Sequence, residues 1–374
     1  MGVRDGSAAQ GEFAFSLYRT VAQEEDGNIC LSPYSIESVF AMLSAGARGS
    51  TRDELFSLFG FSESSQFHRA FSDEMDLLRG ADGATVYLAN ALWPAKKYVL
   101  RQDFMELLET RYGAEVERLD FGTEPEKSAD QINKWVERHT EGMISQIVQA
   151  DQFSDLTRLI LTNAVYFNAS WNTPFPADKT AEDIFYTRRG DSISVDYMQQ
   201  EASFSYGTTE HSELLLLPYS GGEFSLLLAR PHRKEHMEDL EERLSPALLN
   251  TWDKALSEER LFVSLPKWKM KKEYEVSSFL HSLGLASAFT PQADFGGVSE
   301  SKEDLFIDRV LHKTAMEVSE AGTEAAAATA ITMRTTSVNI SEPREVRFDS
   351  PFLFFIRHDP TGRILFMGRM DDPS

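Results

Sequence analysis

Only one cysteine, Cys30, occurs in the 374 residues, so no intrachain disulfide can form and a cysteine-based metal site is excluded. It lies in the apolar stretch Asn28-Ile29-Cys30-Leu31, where the expectation is a buried, inert thiol. No apolar run approaches the roughly 18 residues that a membrane-spanning helix needs. Basic residues are scarce: 37 Lys and Arg stand against 59 Asp and Glu, a formal net charge of −22. A surface of that sign repels phosphate backbones and anionic lipid, so neither nucleic acid nor membrane is expected as a partner. Missing too are a zincin HExxH pair, a phosphate-binding glycine loop with its lysine, and a GxSxG elbow. The reading expects no enzyme activity, no metal and no cofactor.

The start, Met1-Gly2-Val3-Arg4-Asp5-Gly6, lacks the apolar core of a signal peptide, and Gly6 stands where a myristoylation motif wants Ser or Thr. That favours a leaderless chain, cytoplasmic or unconventionally secreted. The alternative is a mature secreted form whose Met1 replaces a removed leader. Two glycosylation sequons, Asn168-Ala169-Ser170 and Asn339-Ile340-Ser341, matter only for a secreted chain.

What the sequence does contain is interleaved helix and strand. Apolar residues recur at helical spacing from Phe13 to Val21, and again at Ile36, Val39, Phe40 and Leu43 behind the start signal Ser32-Pro33-Tyr34-Ser35. Thr85 to Trp93 reads as a strand, an amphipathic segment surrounds Phe104 to Leu108, and Glu126 to His139 reads as a helix with Ile132, Trp135 and Val136 on one face and Gly142 as its stop. Arg158 to Phe167 is almost continuously apolar, the signature of a strand buried on both faces. Beyond residue 180 strands dominate. Glu213–Tyr219 and Phe224–Ala229 form a hairpin around Ser220-Gly221-Gly222, and Phe352–Arg357 and Ile364–Arg369 form another around His358 to Gly362. No linker, repeat or composition break divides the chain, so the reading is one α+β domain over 1–374.

One segment resists this pattern. Gly322 to Ala330 runs Gly-Thr-Glu-Ala-Ala-Ala-Ala-Thr-Ala and continues through Ile331, Met333 and Arg334 to Val338 with few anchors. By itself the alanine run would suit a surface helix or a linker. A loop of some twenty residues in a compact domain is usually functional.

Several segments, in order, resemble the serpin family. They are Asn28 to Ile36 with Ala45-Gly46-Ala47-Arg48-Gly49-Ser50-Thr51; Thr162-Asn163-Ala164-Val165-Tyr166-Phe167-Asn168-Ala169-Ser170-Trp171; His312 to Val318; the hinge Glu320 to Ala328; Asp349 to Arg357; and Leu365 to Arg369. At Asn168-Ala169-Ser170 the family more often has a basic residue and glycine, a departure that touches glycosylation and not fold. The resemblance implies helices packed around three β-sheets, with a long exposed reactive loop at about 320–342. It also implies a suicide-substrate inhibitor, a monomer trapping a trypsin-like or elastase-like serine protease as a covalent acyl complex. A non-inhibitory carrier, chaperone or storage protein is the alternative, but such members carry bulky, charged or proline residues in the hinge.

The implied hinge residues are Glu320, Gly322, Thr323, Glu324, Ala325, Ala326, Ala327 and Ala328. As a strand, the loop would place Thr323, Ala325, Ala327, Thr329, Ile331 and Met333 on one face, all uncharged, and leave Glu324 and Arg334 on the other. Counting about seventeen positions from Glu320, the family's usual spacing, puts the reactive bond at Thr336-Ser337; Arg334-Thr335 is the alternative if the target is trypsin-like. Ser32, Ser35, Asn163 and His312 match positions of a polar cluster where the sheet must part, and Tyr166 and Trp171 match core aromatics near the insertion point. The basic run Lys267 to Lys272 reads as a solvated strand face. The segment Phe67 to Arg79, which matches the heparin-binding helix of some members, is mixed to acidic, so heparin activation is not expected.

Overall fold

The apolar run predicted as a central strand forms Leu159–Ser170 in a computed structural model that describes residues 6–300, 305–323 and 342–374. Its first nine residues are all buried because both faces are covered. Asn163 donates to the carbonyl of Ser35 in helix Pro33–Ser44. Its neighbour Thr162, facing the other way, accepts from Trp93, which packs edge-on against Trp135 of helix Pro125–His139. Alternate side chains of one strand thus serve two helices.

Six strands form this main sheet, in the order Trp268–Glu275, Arg309–Ser319, Gly322–Thr323, Leu159–Ser170, Ala84–Pro94 and Glu115–Val116. Ala84–Pro94 runs antiparallel to the central strand along its whole length, and Trp268–Glu275 antiparallel to Arg309–Ser319.

Nine further strands form two more sheets joined through one 17-residue strand, Ser192–Thr208. The start of this strand pairs with Ala181–Tyr186, its middle with Ser257–Pro266, and the latter with Arg344–Arg347 at the edge, which together make a small sheet. Its end pairs with Ser212–Pro218, and from there the third sheet continues through Phe224–Pro231, Phe352–His358 and Arg363–Met370 to Ile29–Leu31. The fold is α+β with three sheets. Cys30 is fully buried in the last of these strands, and desolvation pushes its thiol up to about 12.

Two elements differ from their expectations. Helix Pro33–Ser44 was predicted to bury one stripe, yet all twelve of its residues are buried, because it runs between the main sheet and the strand Arg363–Met370. Pro33 occupies its first turn, but Ser32 makes no side-chain cap. The Ser32 hydroxyl is buried with no hydrogen-bond partner, and its backbone amide is used elsewhere, as described below. The segment around Phe104 to Leu108 is a short helix, Gln102–Leu107, that widens into a π-turn at Leu108–Tyr112.

Candidate functional site

Leu159–Ser170 and Arg309–Ser319 are parallel neighbours, but they pair only where Ile160–Val165 meets Arg309–Thr314. Above that point they part. The chain reverses after Ser319, and Gly322–Thr323 comes back down between them, with Thr323 opposite Val318 and Ala169, and Gly322 opposite Ser319 and Ser170. Gly322 has φ +153, and a Cβ there would lie 2.1 Å from the Ala169 carbonyl oxygen. Only glycine can pass so close to the neighbouring backbone.

The turn is clamped by its carbonyls. Ser319 accepts from the Trp171 indole and Ala321 from the Trp171 amide, both at 2.9 Å, and Glu320 accepts from the Phe175 amide at 2.9 Å. Trp171, expected as a packing residue, is therefore also a hydrogen-bonding bracket for the hinge. The Glu320 carboxylate takes the Thr180 hydroxyl at 2.7 Å and the Lys267 ammonium at 3.2 Å. Partial burial pushes this carboxyl up, but the Thr180 hydroxyl, the backbone and Lys267 outweigh it and hold it below the usual range. The basic run is compensated as well: Lys269 pairs with Glu317 at 2.6 Å and, on the adjoining strand, Lys313 with Glu273 at 2.9 Å.

Thr323 is 1% exposed and shares a 2.6 Å hydrogen bond with the Tyr219 hydroxyl. Tyr219 in turn stacks on Trp171, with ring centroids 4.6 Å apart. On the opposite face Tyr166 meets Tyr87, and its hydroxyl accepts from the Asn168 side chain at 2.9 Å. The half-buried side-chain amide of the first sequon is thus engaged on this outer face of the sheet.

Lower down, where the strands are paired, Asn90, Asn163 and His312 stand side by side on three adjacent strands. The Ser32 backbone amide donates to His312 Nε2 at 3.0 Å, so Nδ1 carries the proton and donates to Asn163 Oδ1 at 2.7 Å. The Asn163 amide reaches Asn90 Oδ1 at 2.6 Å and both the hydroxyl and the carbonyl of Ser35. Asn90 donates to Ser38 at 2.6 Å. Of the residues expected in a polar cluster, Ser35, Asn163 and His312 meet through side chains, whereas Ser32 takes part through its backbone. Desolvation lowers the His312 pKa to about 3, so the ring is neutral.

Asn90, Ser38 and Tyr219 escaped the sequence reading. A lone amide inside an apolar strand was the available sign for Asn90, since a buried amide must find partners. Tyr219 carried no such mark. Glu324, Ala325, Ala326, Ala327, Ala328, Arg334, Thr335, Thr336, Ser337 and the sequon at Asn339 lie outside the described residues. Among the described residues no group of three or more His, Cys, Asp or Glu is placed to hold a metal ion, and no helix is long and apolar enough to cross a membrane.

Comparison with known proteins covers the whole of this architecture. The family described as Serpin (serine protease inhibitor) matches residues 8–373. Leukocyte elastase inhibitor of Sus scrofa is 34% identical, over 98% of this chain and 99% of the relative. The crystal structure of Serpin48 of Tenebrio molitor superposes with a TM-score of 0.90 at 30% identity, covering 100% of both chains. Human thyroxine-binding globulin complexed with its hormone reaches a TM-score of 0.90 at 27% identity, covering 98% of each.

Proposed function

The chain belongs to the serpin family, and from that premise we propose that it is a suicide-substrate inhibitor of a serine protease. The observation that carries this reading is the hinge: Gly322–Thr323 already lies between the two strands that must separate, in register with both. Each further step along the loop descends one residue on either side. Six residues beyond Thr323, opposite both Asn163 and His312 in that register, comes Thr329, a small side chain with a hydroxyl to offer the amide and imidazole that it parts. Thr323 faces inward and is buried, so the alternating set Ala325, Ala327, Thr329, Ile331 and Met333 follows it inward, uncharged throughout. Glu324 and Arg334 fall on the other side.

The chemistry is that of the target enzyme. Its serine oxygen attacks the Thr336 carbonyl carbon, the Thr336–Ser337 bond breaks, the Ser337 amine leaves with a proton, and Thr336 remains as an ester on the protease. The freed loop would then continue the register of Gly322–Thr323, which extrapolates to Met333 opposite Leu159 at the end of the central strand. About twelve residues at roughly 0.5–1.5 kcal/mol per hydrogen bond release on the order of 10 kcal/mol, and a strand of that length carries the enzyme about 40 Å. Insertion outruns hydrolysis of the ester and distorts the enzyme.

A threonine before the reactive bond suits an elastase-like pocket, as the name of the porcine relative would suggest; Arg334-Thr335 would suit a trypsin-like one. The carrier reading draws on the thyroxine-binding neighbour. It sits poorly with a hinge whose inserting face, Thr323, Ala325 and Ala327, carries only small uncharged side chains, which favours insertion. The deciding experiment incubates the protein with an elastase-like and a trypsin-like protease, isolates any SDS-stable complex and sequences the released C-terminal fragment. We expect Ser337 at its N-terminus. Thr335 would move the bond and the target class. Cleavage without a stable complex, and without a rise in unfolding temperature of the nicked protein, would favour the carrier.

A further inference from the structure

The turn that carries Tyr219 is fixed to one side of the gap. Ser220 donates its amide to the Ser170 carbonyl at 2.8 Å, and Asn172 donates to Pro218 at 3.0 Å, both at the upper end of the central strand. On the far side of that strand, Gly221 interlocks with Gly83 at the start of Ala84–Pro94. A Cβ on Gly83 would lie 2.1 Å from Ser220 O, and one on Gly221 2.0 Å from Asp82 O; both have positive φ. The Asp82 amide also reaches Glu223 at 3.2 Å. The turn therefore belongs to the Leu159–Ser170 and Ala84–Pro94 half of the sheet and, among the described residues, has no such tie to Arg309–Ser319. When the sheet parts, Tyr219 stays with the central strand, its ring held between Trp171 at 4.6 Å and Phe167 at 5.0 Å.

From this platform the phenol meets Thr323, the first loop side chain in the gap, at 2.6 Å, and both groups are buried. We propose that Tyr219 is a positioning residue for trapping: its hydroxyl seats Thr323 and fixes the register in which the rest of the loop enters. The proposal rests on the inhibitory reading above. With the hydroxyl in place, insertion resumes from a strand already begun. Without it, Thr323 is left with a buried hydroxyl lacking its partner, which favours expulsion of the hinge. Every acylated enzyme must then wait for the hinge to be reseated, and more of them complete hydrolysis and escape.

Tyr219→Phe keeps the ring and its stacking and removes only the oxygen. We expect it to raise the moles of inhibitor consumed per mole of protease trapped by about five- to thirtyfold, the effect of one unpaired buried hydroxyl. Thr323→Val, which leaves the phenol unpaired, should do the same. The double variant lacks both hydroxyls and should regain most of the wild-type stoichiometry, which a merely structural loss would not do. Wild-type stoichiometry in Tyr219→Phe, or a double variant no better than either single one, would overturn the proposal. Absence of a stable complex with the unaltered protein is a separate outcome, and it would instead remove the inhibitory reading on which the proposal stands.

Discussion

The two ends of the seam between Leu159–Ser170 and Arg309–Ser319 are held by opposite means. At the lower end the strands are paired, and a neutral polar row of Asn90, Asn163 and His312 joins three of them to helix Pro33–Ser44. At the upper end they are apart, and what holds them there is the chain itself, with Thr323 seated on Tyr219 and the turn bracketed by Trp171 and Phe175. The lower row bonds strand to strand, so parting them must break His312 from Asn163. Contacts at the upper end instead bind the turn and Gly322–Thr323. On the proposed mechanism, insertion would part such a sheet from the top, one residue at a time, and meet its resistance at the polar row.

The most damaging change to this arrangement is expected from Thr323→Arg. A guanidinium would replace a hydroxyl that is 1% exposed, and burying an unpaired charge costs several kcal/mol. The hinge should leave the gap and insertion should not begin there. The loop outside the sheet should still be cut, so gel analysis should show the cleaved form in place of the SDS-stable complex. Retention of the complex at wild-type stoichiometry would mean that insertion does not start at Thr323.

The next effect concerns the polar row. Burial holds the His312 pKa at about 3, against 6.5 for an exposed histidine. Between those values the unfolded chain binds more protons than the folded one, so the contribution of His312 is fully present above about pH 6.5 and is lost as the pH falls toward 3. Over that window the loss is on the order of a few kcal/mol. His312→Ala should lower stability near pH 7 by about 1–3 kcal/mol, since it strips Asn163 Oδ1 and the Ser32 amide of their partner. It should also flatten the acid slope. Glu37, raised to about 8 chiefly by desolvation, titrates in both proteins and cancels in the difference. Urea midpoints measured for the two proteins between pH 3.5 and 7.5 should converge toward the acid end. Parallel curves would place the resistance of the lower seam elsewhere.

How far these two ends could be read from sequence depends on the distance over which each is assembled. The central strand was legible because its own residues say that it is buried on both faces, and Gly322 and the alternation that follows it are local features of the loop. Asn163 and His312 were found only through family resemblance. Their neighbour Asn90 was passed over because a strand pattern does not say which strand lies alongside. Register is a tertiary property, and it alone brings Asn90 opposite Asn163. Tyr219 is more hidden still. It lies 104 residues from Thr323, at the end of a segment read only as a hairpin strand, and its place beneath the hinge follows from the interlock of Gly83 with Gly221. The Ser32 cap failed for a related reason: a distant imidazole binds its backbone, and the helix it begins is surrounded by core.

The smallest effect is expected from Lys267→Met, and it separates two explanations of why the hinge stays in place. Lys267 and Glu320 are 3.2 Å apart, with side chains 35% and 18% exposed. A pair so placed is screened by water and salt and contributes about 0–1 kcal/mol. Its loss leaves Glu320 bound to Thr180 at 2.7 Å and the turn bracketed by the Trp171 and Phe175 amides. If the upper end is held mainly by buried hydroxyls and backbone, Lys267→Met should lower the unfolding temperature by no more than about 1–2 °C, and should leave the trapping stoichiometry where it was. The difference should vanish in high salt, where the pair contributes little even in the unaltered protein. A stoichiometry as poor as that of Tyr219→Phe at low salt, matched by the unaltered protein in high salt, would transfer the seating of the hinge from Thr323 to Glu320. The upper end would then be held by charge at the surface, and its contrast with the neutral, buried lower end would become one of electrostatics as well as of pairing.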